Sequence, residues 1–365
     1  MEDKKLNLFN VAALYVGTIM GAGFASGREG WQFFGVFGAK GYIGITIAGI
    51  LFMGIGMMVA YIARSLDTAD MGRIIVFSDN PKLTGAVGCF MAAILYTIIV
   101  SMSAAGGSFL AQQFGIHQAV GGIIIVIMVI FTVLGSFERV SKIFKYTAPI
   151  LFAIDIVLCI TVILSDIEQS GATDGFPVSA MAPNWFLAAF LFISYNMLGM
   201  IPIVASSSVN AKDKKSGVLG AGAGGFMLAL LTVLLITALR KDMAFTQNMD
   251  LPMLAYSARL HPAANIVFGA VLFLAIYSAA TSTYYGFSTK IKETPIKKYI
   301  LIGGAFIGFG CGLSGFKTIV AYLYPIEGYI GFLIILMICI NFIKVYIENH
   351  RKKGISSDGD TEKEE

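Results

Sequence analysis

Charge is scarce in this chain. Asp, Glu, Lys and Arg make up 13% of its 365 residues against 57% hydrophobic ones, too little hydrated surface for a soluble domain of this size. Cysteine is scarce as well. Cys89, Cys159, Cys311 and Cys339 each fall inside an apolar run and none has C-x-x-C spacing, which argues against a disulfide framework and a zinc ribbon. His117, His261 and His350 lie at run ends or in the tail, so no histidine chemistry is assigned. No paired His-Glu metal motif, nucleophile elbow or cofactor fingerprint is present, which speaks against an enzyme, and no nucleotide-binding motif speaks for a pump driven by hydrolysis. The segment Met1 to Asn7 is a polar lead without a small-residue cleavage site, so no removable signal peptide is expected.

What the chain has instead is a series of apolar runs of spanning length. Ten can be laid out: Leu8 to Phe37, Tyr42 to Ala63, Gly85 to Gln112, Gln118 to Ser136, Phe144 to Leu164, Trp185 to Ser206, Gly217 to Leu239, Ala264 to Phe287, Tyr299 to Leu313 and Thr318 to Tyr346, the last with a kink expected at Pro325. The expectation is an all-α polytopic membrane protein with two five-span halves, 1–165 and 183–346. An external loop at 166–182 separates them, and a disordered cytoplasmic tail follows at 347–365. The lipid bilayer is its first partner.

Positive charge orients the layout. The net charge of +4 sits in short Lys and Arg clusters between runs, a topological signal and not a nucleic-acid patch. With both termini cytoplasmic, the inside holds Lys4, Lys5, Arg64, Arg73, Lys82, Arg139, Lys142, Lys145, Lys212, Lys214, Lys215, Lys290, Lys292 and the basic end. The outside keeps Arg28, Lys40, Arg240, Lys241, Arg259 and Lys317. That bias reads as a multi-pass protein of the cell's inner (plasma) membrane. Two external stretches, Ser165 to Asn184 and Lys241 to Pro262, are candidate caps over a vestibule; the second contains a short amphipathic run, Leu251 to Leu260.

Two spans contain residues that lipid does not tolerate. The first carries Gly17, Gly21, Gly23 and Gly27 and then Arg28-Glu29. Glycine costs about 1 kcal/mol of helix propensity relative to alanine, so four make an unwound segment cheap. Freed backbone at membrane depth must be buried in protein or line a polar cavity. The plainer reading is helix packing, since Gly17 and Gly21, and Gly23 and Gly27, have small-xxx-small spacing. In the sixth span, Ser194-Tyr195-Asn196 is followed by Gly199 and Pro202, and a second broken helix is expected there. An odd number of spans per half gives the halves opposite topology, and paired interruptions point to the binding site of an inverted-repeat transporter.

The run Gly17-Thr18-Ile19-Met20-Gly21-Ala22-Gly23-Phe24 resembles the first-span glycine motif of the amino acid-polyamine-organocation superfamily, whose members share the five-plus-five LeuT fold. Its extension, Ala25-Ser26-Gly27-Arg28-Glu29 followed by Gln32-Phe33-Phe34, resembles the small bacterial YkvI-type membrane proteins. The resemblance implies ten spans with helices one and six broken. It implies a sodium site from the carbonyls of Gly17, Met20 and Ser278 and the hydroxyls of Thr281 and Ser282. By the same resemblance the aromatic lid is Tyr195 or Phe192, and Arg28 is similar to an external gating arginine whose partner is Glu29 or Glu327. Against this stands the habit of Ser and Thr in membrane helices of bonding their own preceding carbonyls.

The reading that follows is an ion-coupled symporter of a small polar solute, an amino acid or related amine, working by alternating access; the alternative is an uncoupled channel or facilitator of the same fold. No cofactor is expected beyond sodium as coupling ion. An anionic group of the solute would bind amides at Gly21, Ala22 and Gly23, with Phe24, Tyr195 and Asn196 in the site. Asp155, near the centre of an apolar span, costs roughly 2.5 to 3.5 kcal/mol on insertion scales unless it has a partner or a function. It is the candidate coupling carboxylate, with interhelical bonding as the bland alternative. The orientation has a direct test. In a background without native cysteines, a thiol at Ser170 should react with an impermeant reagent on intact cells and one at Ser216 should not; the reverse pattern overturns the layout.

Overall fold

The computed structural model describes residues 5–78 and 80–361, with side chains outside 136–146, 148 and 352–361. Apolar runs become helices because only intra-segment hydrogen bonding satisfies a backbone placed in lipid. In order they are α1 (Leu8–Ile19), α2 (Ala22–Ala25), α3 (Arg28–Phe33), α4 (Ala39–Leu66), α5 (Met71–Ile75), α6 (Pro81–Phe114), α7 (Gln118–Phe131) and α8 (Phe137–Leu164). Then follow α9 (Trp185–Val209), α10 (Lys214–Leu239), α11 (Met243–Asn248), α12 (Pro252–Leu260), α13 (Pro262–Ser288), α14 (Lys297–Gly312) and α15 (Phe316–Thr361). Among the described residues, seven helical stretches are long and apolar enough to cross a membrane, and Leu8–Ile19 and Pro149–Leu164 are shorter apolar helices. The chain is therefore an all-α polytopic membrane protein. α15 stays helical through Pro325 and on to Thr361, past the start of the expected tail at 347.

Small residues set the closest crossings. A Cβ added at Gly225 of α10 would lie 2.6 Å from Met53 N and 2.7 Å from Phe52 C, so α10 and α4 touch backbone to backbone. At Gly328 of α15 it would lie 2.7 Å from Leu191 O of α9. Such crossings give van der Waals contact where lipid supplies no hydrophobic drive. Tyr15 of α1, fully buried, fits against Gly224 and Gly56 and donates to Phe52 O at 2.9 Å. Phe192 of α9 gathers Phe34, Phe33, Phe52 and Phe24 around it at ring-centroid distances of 4.9, 5.6, 5.8 and 6.4 Å.

The first span is interrupted. α1 ends at Ile19, Met20 caps it at φ −71, ψ 61, and Gly21 is extended at φ −82, ψ −176 before α2 begins. A second turn follows at Gly27, φ +78, which starts α3 in a new direction.

The sixth span is not broken. α9 runs unbroken from Trp185 to Val209 with Pro202 inside it, which corrects the expectation of a second interruption. Two polar residues at the expected break bond within the helix: Ser194 Oγ donates to Phe190 O at 2.7 Å and Asn196 Nδ2 to Phe192 O at 2.8 Å. Side chains bonded one turn back leave no orphan group that unwinding would serve.

At the Lys-rich end, Leu6 forms a parallel bridge with Ala211 in the connection between α9 and α10. Leu6 N donates to Asn210 O at 2.9 Å and Lys212 N to Leu6 O at 2.8 Å. Arg64, at the end of α4, donates to Val209 O at 2.6 Å.

The glycines of the interruption differ in role, and that difference is measurable. Gly27→Ala forces a left-handed φ on alanine, about 1 to 2 kcal/mol, and sets a methyl 2.8 Å from Leu239 Cδ1. Its thermal midpoint should fall. Gly21→Ala meets nothing within 4 Å and should melt with the parent protein; an equal fall would show that Gly21 is a packing glycine.

Candidate functional site

The interruption places Arg28 and Glu29 inside the bundle, 0% and 5% exposed. The two side chains diverge. Arg28 donates to the backbone carbonyls of Gln247 and Met249 at 3.3 and 3.2 Å and to Gln32 Oε1 at 3.2 Å, with its Nε unpartnered. Among the described residues it forms no ion pair with Glu29 or Glu327, so the expected gating pair is corrected: backbone carbonyls hold the guanidinium.

Glu29 instead folds back over α2. A Cβ at Gly23 would collide with the Glu29 carboxylate, which accepts a hydrogen bond from the Tyr195 hydroxyl of α9. Gly23 thus leaves the space that the Glu29 side chain occupies. Tyr195 stacks on Phe33 at 5.6 Å and lies 4.9 Å from Tyr324 of α15, centroid to centroid. One turn beyond Tyr324, Glu327 is 6% exposed and accepts from the Thr97 hydroxyl of α6. Four elements, α3, α6, α9 and α15, therefore carry a polar cluster with two carboxylates and, among the described residues, no salt-bridged cation. Next to it the backbone is open: a Cβ at Gly21 or at Gly199 would meet nothing within 4 Å.

The remaining candidates sort by partner. Phe24 and Asn196 are buried, the former packed on Phe192. Ser278 Oγ donates to Ala275 O at 3.0 Å, one turn back on α13, and Ser282 is exposed. Thr18, beside Gly17, bonds its own helix through Leu14 O. Thr281 and Asp155 are different: both are wholly buried, and the Thr281 hydroxyl and both Asp155 carboxylate oxygens have no hydrogen-bond partner. They stand on α13 and α8, which pack together. Buried polar atoms without partners are rare and ask for a ligand or a proton.

Over the charged end of α3 lies the stretch between α11 and α12. Gln247 O accepts from Lys317 Nζ at 2.7 Å, and Gln247 Oε1 accepts from Trp31 Nε1 at 2.6 Å. Asp250 accepts from Ser108 at 2.6 Å and Gln118 at 3.2 Å, while Met253 N donates to Ser26 O at 2.8 Å. Sequence reading placed a cap here but named none of these partners. Thr97, Tyr324, Trp31 and Gln247 are single polar residues in separate segments, and only the fold brings them together.

These helices form an all-α membrane fold that resembles LeuT-type transporters, and the chain is similar to known proteins of two kinds. In sequence it is 22% identical over 340 residues to the "Uncharacterized membrane protein YkvI" of Bacillus subtilis (strain 168), covering 91% of this chain and 95% of that one. It is 23% identical over 334 residues to "Uncharacterized protein YyaD" of the same organism, covering 90% and 94%. In structure it resembles the inward-facing conformation of Mhp1, with a TM-score of 0.56 at 13% identity over 89% of this chain and 73% of Mhp1. A closed form of Mhp1, described as a nucleobase-cation-symport-1 family transporter with bromovinylhydantoin bound, gives a TM-score of 0.47. No protein-family model matches the chain.

Removing Arg28 takes away its bonds to two carbonyls, each worth about 1.5 kcal/mol or more for a charged donor. Arg28→Ala should raise the alkylation rate of a thiol placed at Ser26, itself 0% exposed, about tenfold or more through local opening. An unchanged rate would show that the cap is held by the other contacts.

Proposed function

We propose that this chain is a secondary carrier of LeuT fold that moves a small amine-bearing solute by alternating access, coupled to a cation gradient. The observation that carries the reading is the Glu29 carboxylate lying over Gly23 and bonded to Tyr195. That carboxylate lies against Gly23, and Gly21 N already donates to Ile19 O at 2.7 Å, which disfavours a solute anion at the amides of Gly21, Ala22 and Gly23. With Glu327 nearby on α15, the cluster favours a positive group, so the solute presents an ammonium to the two carboxylates. Amines answer to this, and so do amino acids whose own carboxylate lies away from Gly23. Buried carboxylates are stable when a cation completes them and costly when none does.

Ten spans in a five-plus-five inverted repeat fit this reading. The seven long helices are joined by the interrupted first span, by α8 and by α14, with the termini cytoplasmic as the charge asymmetry favours. For coupling, Asp155 and Thr281 offer orphaned buried oxygens, and hard monovalent cations take oxygen ligands at broken helices. Sodium there would be held by Thr281, Ser282 and Asp155 with the carbonyls of Gly17, Met20 and Ser278; a proton would be held by Asp155 alone. Thr281 Oγ1 and the two Asp155 carboxylate oxygens fit a bound cation in that no hydrogen bond uses them.

Uptake into proteoliposomes separates these readings. With sodium coupling, Thr281→Ala combined with Ser282→Ala should raise the sodium requirement about tenfold, a loss of roughly 1.4 kcal/mol, and Asp155→Asn should act less strongly. With proton coupling, uptake is sodium-independent and its pH response disappears in Asp155→Asn. Glu29→Gln should weaken amines more than neutral analogues. Uptake that ignores both gradients and all variants would replace the carrier with a facilitator.

A further inference from the structure

On the Lys-rich face, away from the carboxylate cluster, the bundle holds a cavity of about 870 Å³. Its lining comes from α4, α5, α6, α13 and α15 and from the connections before α5, before α6 and after α13; none of Gly23, Glu29, Thr97, Tyr195, Tyr324 or Glu327 contributes. It is therefore separate from the proposed solute site.

The cavity is charged at its rim and apolar along its length. Arg73, Lys290 and Lys344 line the rim with Asp70 and Glu348. The two acids are engaged: Asp70 accepts from Arg73 N at 2.9 Å to cap α5, and Glu348 lies 3.9 Å from Lys344, whose ammonium also donates to Phe77 O at 3.1 Å. Among the described residues, the Arg73 guanidinium and the Lys290 ammonium have neither hydrogen bond nor ion pair. From that rim the cavity follows α6 past Pro81, Gly85, Gly88, Cys89 and Ala92, twelve residues or about 16 Å of helix. A Cβ at Gly85 or Gly88 would meet nothing within 4 Å, so this face of α6 is not packed by protein. Phe287, Ile291 and Val345 complete the apolar wall.

We propose that this cavity is a binding site for an anionic phospholipid, the phosphate headgroup between Arg73 and Lys290 and an acyl chain along the Gly85–Gly88–Ala92 face. Among the described residues, two cations without a hydrogen bond or ion pair favour negative charge, and a groove running about 16 Å along an unpacked apolar face of α6 exceeds what a small phosphate alone would fill. Basic pockets between helices at the cytoplasmic surface recognise anionic headgroups by this combination of charge and depth.

The test uses the purified full chain in detergent, with phosphatidylglycerol, phosphatidylcholine of the same acyl chains, or glycerol 3-phosphate added. The readouts are the thermal midpoint and the alkylation rate of Cys89, which lies exposed on the cavity wall. Phosphatidylglycerol should stabilise the protein and protect Cys89 at about a tenfold lower mole fraction than phosphatidylcholine, as two surface cations allow. The double change Arg73→Gln, Lys290→Gln should erase that preference. Gly88→Leu, which fills open space and improves helix propensity, should abolish protection by either lipid while the protein still folds. Equal effects of the two phospholipids, or a preference that survives the double change, would overturn the proposal. So would glycerol 3-phosphate matching phosphatidylglycerol at equal concentration, since the site would then belong to a soluble phosphate. Should the variants fold poorly, the Cys89 comparison in the unaltered protein decides alone.

Discussion

A carboxylate enclosed in an apolar bundle has to be held by something, and the arrangement around Glu29 shows how much structure that requirement commands. The carboxylate reaches its position because α1 stops at Ile19 and the chain turns twice, at Gly21 and again at Gly27. It rests where Gly23 has no side chain, and it is bonded by Tyr195 from α9. Tyr195 in turn is sandwiched between Phe33 and Tyr324, which ties α3, α9 and α15 to one geometry. Hydrogen bonding of this kind lowers the cost of a buried charge without neutralising it. Under the proposed carrier reading, a passing cationic group would supply what the hydrogen bond from Tyr195 leaves unmet.

Arg28 and Glu29 illustrate a division of labour between neighbours. Adjacent residues on a helix do not face each other, and here they serve opposite ends of the site. The guanidinium reaches outward to carbonyls of the α11–α12 stretch, and the carboxylate turns inward. The charge that could have cancelled Glu29 is spent on the cap. This separation places a closed covering and an electronegative interior within one turn of the same short helix.

Much of the fold was legible in the sequence because membrane constraints are strong. Apolar run length fixes where helices lie, and the main helices begin and end within a few residues of the runs, apart from α8, which starts earlier than Phe144, and α15, which runs past Tyr346 to Thr361. The first interruption was legible because glycine and charge coincide there. The sixth span misled for a physical reason: Ser194 and Asn196 in an apolar run look alike whether they line an unwound segment or bond the carbonyls of Phe190 and Phe192. Sequence carries no record of which acceptor a side chain chooses. The role of Glu29 was hidden similarly, since its contact with Gly23 depends on a turn at Gly27 and its bond to Tyr195 spans 166 positions. Asp155 stood out by residue type and Thr281 through the family resemblance, and their unpartnered oxygens are a property that packing had to reveal.

The bridge between Leu6 and Ala211 gives the base of α1 an unusual mechanical position. Two backbone bonds join it to the α9–α10 corner, and Arg64 fastens the same corner to the end of α4. Three helix ends are thereby riveted into one block. At the far end of α1 the helical ladder stops after Met20, whose N–H still donates to Val16 O, and Gly21 turns extended. Bending load applied to this half-helix gathers at those two residues, so the pivot of α1 lies in the middle of the bundle and its anchor at the rim.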